Sequence, residues 1–173
     1  MFGHGELSSL VAEHARWLTG FVRGLCANEA DAEDAYQETW LRLMKAGDGY
    51  RGGSMRAYLA RIARSAVVDR YRKSGRYVLS LDVPGEDGSS AAEALPDPAA
   101  TPARRFETAA TRADVLAAVR TLPAGPRTVL LMRIEGELPF KEIAAALGVP
   151  LGTALTWMHE ATVRLKRQLG EKT

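Results

Sequence analysis

The chain has one cysteine and three histidines in 173 residues, and each scarcity closes off a class of function. Cys26 alone can form neither an internal disulfide nor a thiolate zinc site, and His4, His14 and His159 are too scattered to found a metal centre. Between Leu25 and Ala27, Cys26 reads as a small buried hydrophobe. Apolar runs such as Val129 to Met132 fall far short of the ~20 residues that cross a bilayer. The N-terminus lacks a basic segment followed by an apolar one, so a cytoplasmic chain without membrane insertion is expected. With no Gly-rich phosphate loop and no nucleophile spaced beside a base, nothing supports an enzyme, and no cofactor is expected. What is there is 46% hydrophobic and 25% charged, enough for one domain or two small ones and too apolar for disorder throughout.

The net charge of +2 conceals opposed blocks. Residues 1–77 carry 12 Lys and Arg against 9 Asp and Glu, residues 78–105 carry 2 against 5, and residues 106–173 carry 9 against 7. The contrast sharpens inside the first block. Glu29 to Glu38 holds five acids and no base, whereas Tyr50 to Tyr77 holds eight bases and one acid, Asp69. An acidic and a basic surface side by side suggest two different partners.

Leu10, Val11, His14, Leu18, Phe21, Val22 and Leu25 recur at helical spacing, and a break near Asn28 to Asp31 predicts a second helix beginning at Asp31. Glycines 47, 49, 52 and 53 form a loop before periodicity resumes at Met55. Residues 78–105 are rich in Pro, Gly, Ser and Asp and read as a flexible acidic linker. Helices are expected again over Phe106 to Leu122 and Arg127 to Glu135, then a helix-turn-helix: Pro139 to Leu147, a turn at Gly148 to Pro150, and a longer helix from Leu151. Ile143, Ala144 and Leu147 would pack on Ala154, Met158, Ala161 and Leu165. A strand signal arises only at Tyr77 to Leu81. The expected fold is all-α, with two small helical domains, residues 1–77 and 106–173, joined by the linker.

On a wheel of 100° per residue, Asp31 to Lys45 places Ala32, Ala35, Tyr36, Thr39, Trp40 and Leu43 inward, leaving Asp34, Gln37, Glu38, Leu41, Met44 and Lys45 outside. An acidic and apolar surface suits a basic protein partner better than phosphates, though a merely solvated face is the competing reading. The next segment reverses the sign. With Leu59, Ile62, Ala63 and Ala66 buried, Arg61, Arg64, Ser65, Tyr71 and Arg72 turn outward. Cations for phosphates and rings for unstacked bases are what a nucleic-acid groove uses, and the glycine-rich loop allows a nucleotide to approach closely.

Three segments in this order, "DAEDAYQETWLRL", "RGGSMRAYLARIARSAVVDRYRK" and "LPAGPRTVLLMRIEGELPFKEIAAALGVPLGTALTWMHEA", resemble the extracytoplasmic-function (ECF) sigma factors, the small two-domain class of the sigma-70 family. The resemblance implies a subunit that binds core RNA polymerase and directs promoter recognition, DNA melting and transcription initiation, with region 2 and region 4 as its two domains. It implies that Asp34, Gln37, Glu38 and Leu41 dock the β′ clamp helices. It assigns the −10 element to Tyr50, Arg51, Ser54, Arg61, Arg64, Tyr71 and Arg72, the Tyr50 to Ser54 loop capturing a flipped base. The C-terminal helix-turn-helix would meet the β flap and the −35 element, through Thr153, Thr156, His159, Glu160 and Arg164. An anti-sigma factor is a further expected partner, with Leu155, Trp157 and Val163 as its docking candidates.

The reading helix departs from the family. Positions 155, 157 and 160 usually carry Lys or Arg there, but no base occurs between Lys141 and Arg164. Three explanations stay open: an altered −35 preference read by Glu160, Thr156 or His159; weak binding through the helix N-terminus with Arg164, Lys166 and Arg167; or a protein contact. The linker spans at most ~90 Å when extended, and its acidity points to a basic channel in the polymerase. The alternative, a stand-alone helix-turn-helix regulator, leaves the Asp31 to Lys45 face and the basic segment without a purpose.

Overall fold

The computed structural model describes residues 4–46, 49–50, 52–75 and 111–170, which form seven α-helices and no strand. The linker, the Tyr77 to Leu81 strand signal and Arg51 lie outside these residues. The N-terminal module comprises α1 (His4–Leu25), α2 (Glu29–Ala46) and α3 (Met55–Lys73). The C-terminal module comprises α4 (Arg112–Arg120), α5 (Ala124–Ile134), α6 (Phe140–Leu147) and α7 (Leu151–Gly170).

Local chemistry sets the helix ends. The Asn28 Oδ1 accepts the Asp31 backbone N–H at 2.8 Å, so α2 starts at Glu29, two residues before the start expected from the sequence. Ser54 caps α3 by accepting the Ala57 N–H. Thr111 and Asp114 close a reciprocal capping box on α4, which ends at Arg120, two residues before the helix end expected at Leu122; residues 106–110 of that expected helix lie outside the described residues. Pro139 is the N-cap of α6, just ahead of the first turn where it was expected. Gly148 ends that helix at φ 67, the left-handed conformation that lets its N–H reach the carbonyls of Ala144 and Ala145.

The N-terminal module buries Trp17, Leu18, Phe21, Val22 and Leu25 against Ala32, Ala35, Trp40, Leu43, Leu59, Ala63 and Val67. Every residue assigned to the inner face of α2 is buried except Tyr36, which is half-buried and meets Trp40 edge-on. In the helix-turn-helix, Ile143, Ala144, Leu147, Ala154 and Ala161 are buried and Met158 and Leu165 pack against them, as the spacing required. The two modules are not independent bodies. One continuous cluster of buried side chains runs through both, and α1 and α3 of the first module lie directly on α4, α5 and α6 of the second.

Candidate polymerase and promoter surfaces

The acidic face of α2 borders a groove of about 600 Å³ between α2 and α3. Asp34, Gln37, Glu38, Leu41 and Asp69 line it beside Arg42, Arg70 and Lys73, with Ala35 and Ala66 beneath. Asp34, Gln37 and Leu41 are exposed and Glu38 is half-buried; Met44, at 41% exposed, extends the apolar edge. Arginines reach across the groove. Arg42 donates to Glu38 at 2.8 Å and to Asp69 at 2.7 Å. Arg70 pairs with the buried Asp31 at 3.0 Å and with Asp34 at 2.5 Å. The Arg42 hydrogen bond holds the Glu38 carboxyl below its ordinary range, and the Asp31 hydrogen bond raises Arg70. The sequence reading missed Arg42 and Arg70 here, because their partners on the facing helix form no local motif.

At the other end of α3, the Tyr50 and Tyr58 rings lie 5.5 Å apart and tilted, and the Arg61 guanidinium sits 5.2 Å from the Tyr58 ring. The Tyr50 hydroxyl donates to the Gly53 carbonyl at 2.6 Å. Gly52 and Gly53, at φ 89 and 96, adopt backbone that a side chain would strain. Tyr50, Tyr58 and Arg61 thus form a ring-and-cation platform at the mouth of a glycine turn. Ser54 belongs to this loop but its side chain is spent on capping. Arg64 is half-buried and Arg72 exposed.

The outward placement expected of Tyr71 is not found. Its ring is 5% exposed, and its hydroxyl accepts the Ala27 N–H at 2.8 Å. That bond satisfies a backbone donor just past the end of α1, and burial raises the phenol pKa. Trp157, one of the docking candidates, is also engaged within the C-terminal module. The indole lies over Gly125 of α5, where an added Cβ would come within 2.7 Å of Cε2. Trp157 is therefore half-buried packing, while Leu155 is half-buried and Val163 is 51% exposed.

The remaining face of α7 presents Thr156 and His159 to solvent, with Thr153 half-buried. The Thr156 hydroxyl donates to the Gly152 carbonyl at 2.9 Å. Glu160 and Arg164 bind each other through two nitrogens, both at 2.8 Å, one turn apart. The Arg164 guanidinium is thereby anchored to Glu160 on the same helix. Among the described residues no group of three His, Cys, Asp or Glu is placed to hold a metal, and no helix is long and apolar enough to cross a membrane.

An acidic groove edged by apolar side chains, a basic helix with aromatic neighbours and a helix-turn-helix follow one another in this order, and known proteins share the arrangement. The family described as Sigma-70 region 2 matches residues 10–77, and the one described as Sigma-70, region 4 matches residues 112–165. The ECF RNA polymerase sigma factor SigE of Mycolicibacterium smegmatis is 32% identical over 163 residues, covering 94% of this chain and 61% of SigE. The sigma factor CarQ of Myxococcus xanthus is 32% identical over 164 residues, covering 94% of this chain and 88% of CarQ. Two solved structures share the fold across both modules at 21% identity. The sigma factor RpoE of Bartonella quintana, in complex with the anti-sigma factor NepR, has a TM-score of 0.71 and covers 94% of this chain and 96% of its own. CnrH, in complex with the cytosolic domain of CnrY, has a TM-score of 0.68 and covers 99% and 92%. The chain belongs to the ECF branch of the sigma-70 family. Members of that family are initiation factors without catalysis of their own.

Proposed function

We infer that this chain is a promoter-selecting subunit of bacterial RNA polymerase, working in the cytoplasm and carrying no reaction itself. Residues 1–77 act as region 2, residues 78–105 as the connecting linker and residues 106–173 as region 4. In this reading Asp34, Gln37, Glu38 and Leu41 meet the β′ clamp helices, and the helix-turn-helix meets the β flap and the −35 element. The Tyr50, Tyr58 and Arg61 platform receives an unstacked −10 base, with Arg51, Arg64 and Arg72 on the backbone phosphates. Stacking on such a ring is worth about 1–3 kcal/mol per base, enough to offset the few kcal/mol that flipping costs. At the −35 element, Thr153, Thr156 and His159 face the duplex, and Glu160 positions Arg164. An anti-sigma factor is an expected partner, and its docking falls to Leu155 and Val163.

The observation that carries this reading is the α2 face, where exposed Leu41 and Met44 stand among acids that would repel DNA phosphates. A chain in which Asp34→Lys is combined with Leu41→Glu tests it by titration against purified core polymerase. Loss of binding by at least tenfold, with an unchanged thermal melt, is the expected result. Undiminished binding removes the clamp assignment, and DNA binding by the wild-type chain without polymerase would favour the stand-alone regulator.

A further inference from the structure

Resting on the sigma-factor reading above, we propose that α7 reads the −35 duplex through a methyl group and a neutralised carboxylate, Thr156 contacting a thymine methyl and Glu160 a cytosine amino group.

A recognition helix meets base edges with the residues of its N-terminal turns. The buried line of α7, Ala154 and Ala161 with Met158 packed beside them, fixes which side chains remain for that task. Gly152, Thr156 and His159 are exposed on the opposite side, and Glu160 is half-buried next to them. Trp157 is committed to Gly125, and Leu155 is half-buried. No lysine or arginine lies between Lys141 and Arg164. Base reading at the centre of this face thus falls to groups that carry no cation.

The hydrogen bonds decide what those groups can do. The Thr156 hydroxyl hydrogen is spent on the Gly152 carbonyl, so the side chain offers its γ-methyl and an oxygen that can only accept. Arg164 Nε and Nη2 both bind Oε1 of Glu160, which leaves Oε2 without a partner among the described residues. Neither side chain has a hydrogen left to donate.

The four bases are not equal before such a face. Guanine shows the major groove two acceptors, N7 and O6, and finds no match. Adenine sets its N7 acceptor beside its amino group, so a carboxylate drawn to one is repelled by the other. Cytosine presents its amino donor alone, and thymine presents its methyl for an apolar contact.

An acid in a DNA groove is ordinarily repelled by the phosphates. Arg164 removes that obstacle by neutralising Glu160, and the pair that positions Arg164 also fixes Oε2. Arg164 is in this sense a positioning residue. Phosphate contacts are left to Lys141 on α6 and to Lys166 and Arg167 in the later turns of α7, all exposed. Such contacts set register without reading sequence.

Holoenzyme reconstituted from the full chain and purified core polymerase, selected on a promoter library randomised across the −35 element with the −10 element fixed, tests the proposal. The wild type should select one T·A pair and one C·G pair. Deoxyuridine in place of that thymine should weaken binding about threefold, the worth of one buried methyl, and Thr156→Ser should erase the difference. 7-Deazaguanine opposite that cytosine should change nothing, because it removes only the N7 acceptor. Glu160→Ala should relax selection at the C·G pair by about fivefold, and Arg164→Met should relax the same pair. The pair left untouched in each variant is the control for folding.

Unmoved affinity with deoxyuridine, a loss with 7-deazaguanine, or selection of the C·G pair that survives Glu160→Ala overturns the proposal. So does an equal loss on all sequences with Arg164→Met, which would make that residue a phosphate contact. A chain that forms no holoenzyme removes the sigma reading itself, whereas a holoenzyme that initiates without these base preferences overturns this proposal alone.

Discussion

The indole of Trp157 rests on the backbone of Gly125, ring against helix, and this contact seats the reading helix on α5. Gly125→Ala should cost about 1–3 kcal/mol by forcing the ring aside, and Trp157→Ala about 3 kcal/mol by leaving a void. Urea denaturation of each variant measures both. Trp157→Arg should destabilise the C-terminal module in the same way, so substitutions at Val163 test inhibitor docking more cleanly.

The hydroxyl of Tyr71 is the acceptor for the Ala27 N–H, and Tyr71→Phe leaves that donor without it. A loss of about 1–2 kcal/mol is expected by chemical denaturation, with no change in affinity for single-stranded −10 DNA. A normal melt combined with weakened DNA binding would restore Tyr71 to the promoter surface.

Arg70 neutralises a carboxylate that is almost wholly inside the protein. The Asp31 side chain is 7% exposed, and both Arg70 Nε at 3.0 Å and Asn28 Nδ2 at 2.8 Å donate to it. Arg70→Met should therefore destabilise by about 3 kcal/mol. Asp31→Asn in the same chain should recover part of this loss, and the double-mutant cycle measures the coupling.

Tyr58 supplies the ring on which Tyr50 and Arg61 both lean. Tyr58→Ala should weaken binding of a single-stranded −10 oligonucleotide by the holoenzyme by about 1–3 kcal/mol, read by fluorescence anisotropy. Binding of the chain to core polymerase should not change.

Burial raises the Glu135 pKa, with Arg112 and Arg16 offsetting part of the shift. The folded chain thus holds this proton more tightly than the unfolded chain, and ionisation destabilises the fold. The penalty is absent below the ordinary glutamate range and complete above the raised value. Glu135→Gln should accordingly stabilise the chain near neutral pH, the gain vanishing by about pH 4, as a pH series of urea melts would record.

The faces of α2 and the helix-turn-helix were legible because their signals are local. Ala35, Thr39 and Leu43 repeat at helical spacing, and Gly148 stands where a left-handed cap is needed. What escaped was every feature set by a partner distant in sequence. Tyr71 reads as outward until the orphan N–H of Ala27 is brought beside it. Trp157 reads as a free aromatic until Gly125 is placed beneath it. Gly20 and Gly24 look like weak points in a helix, and only the arrival of Leu131 and Glu135 makes them a seat. The family resemblance supplied expected roles for these surfaces but not the contacts between modules.

The arginines that cross the α2–α3 groove have one more consequence. Glu38 and Asp34 enter any encounter already bound to cations, so a basic partner gains its ion pairs by displacing Arg42 and Arg70 rather than by neutralising bare acids. Docking there is an exchange of counterions supplied by the protein itself. Affinity at this groove should then depend on salt less steeply than its count of acids implies, leaving shape and the apolar contacts of Leu41 and Met44 to choose the partner.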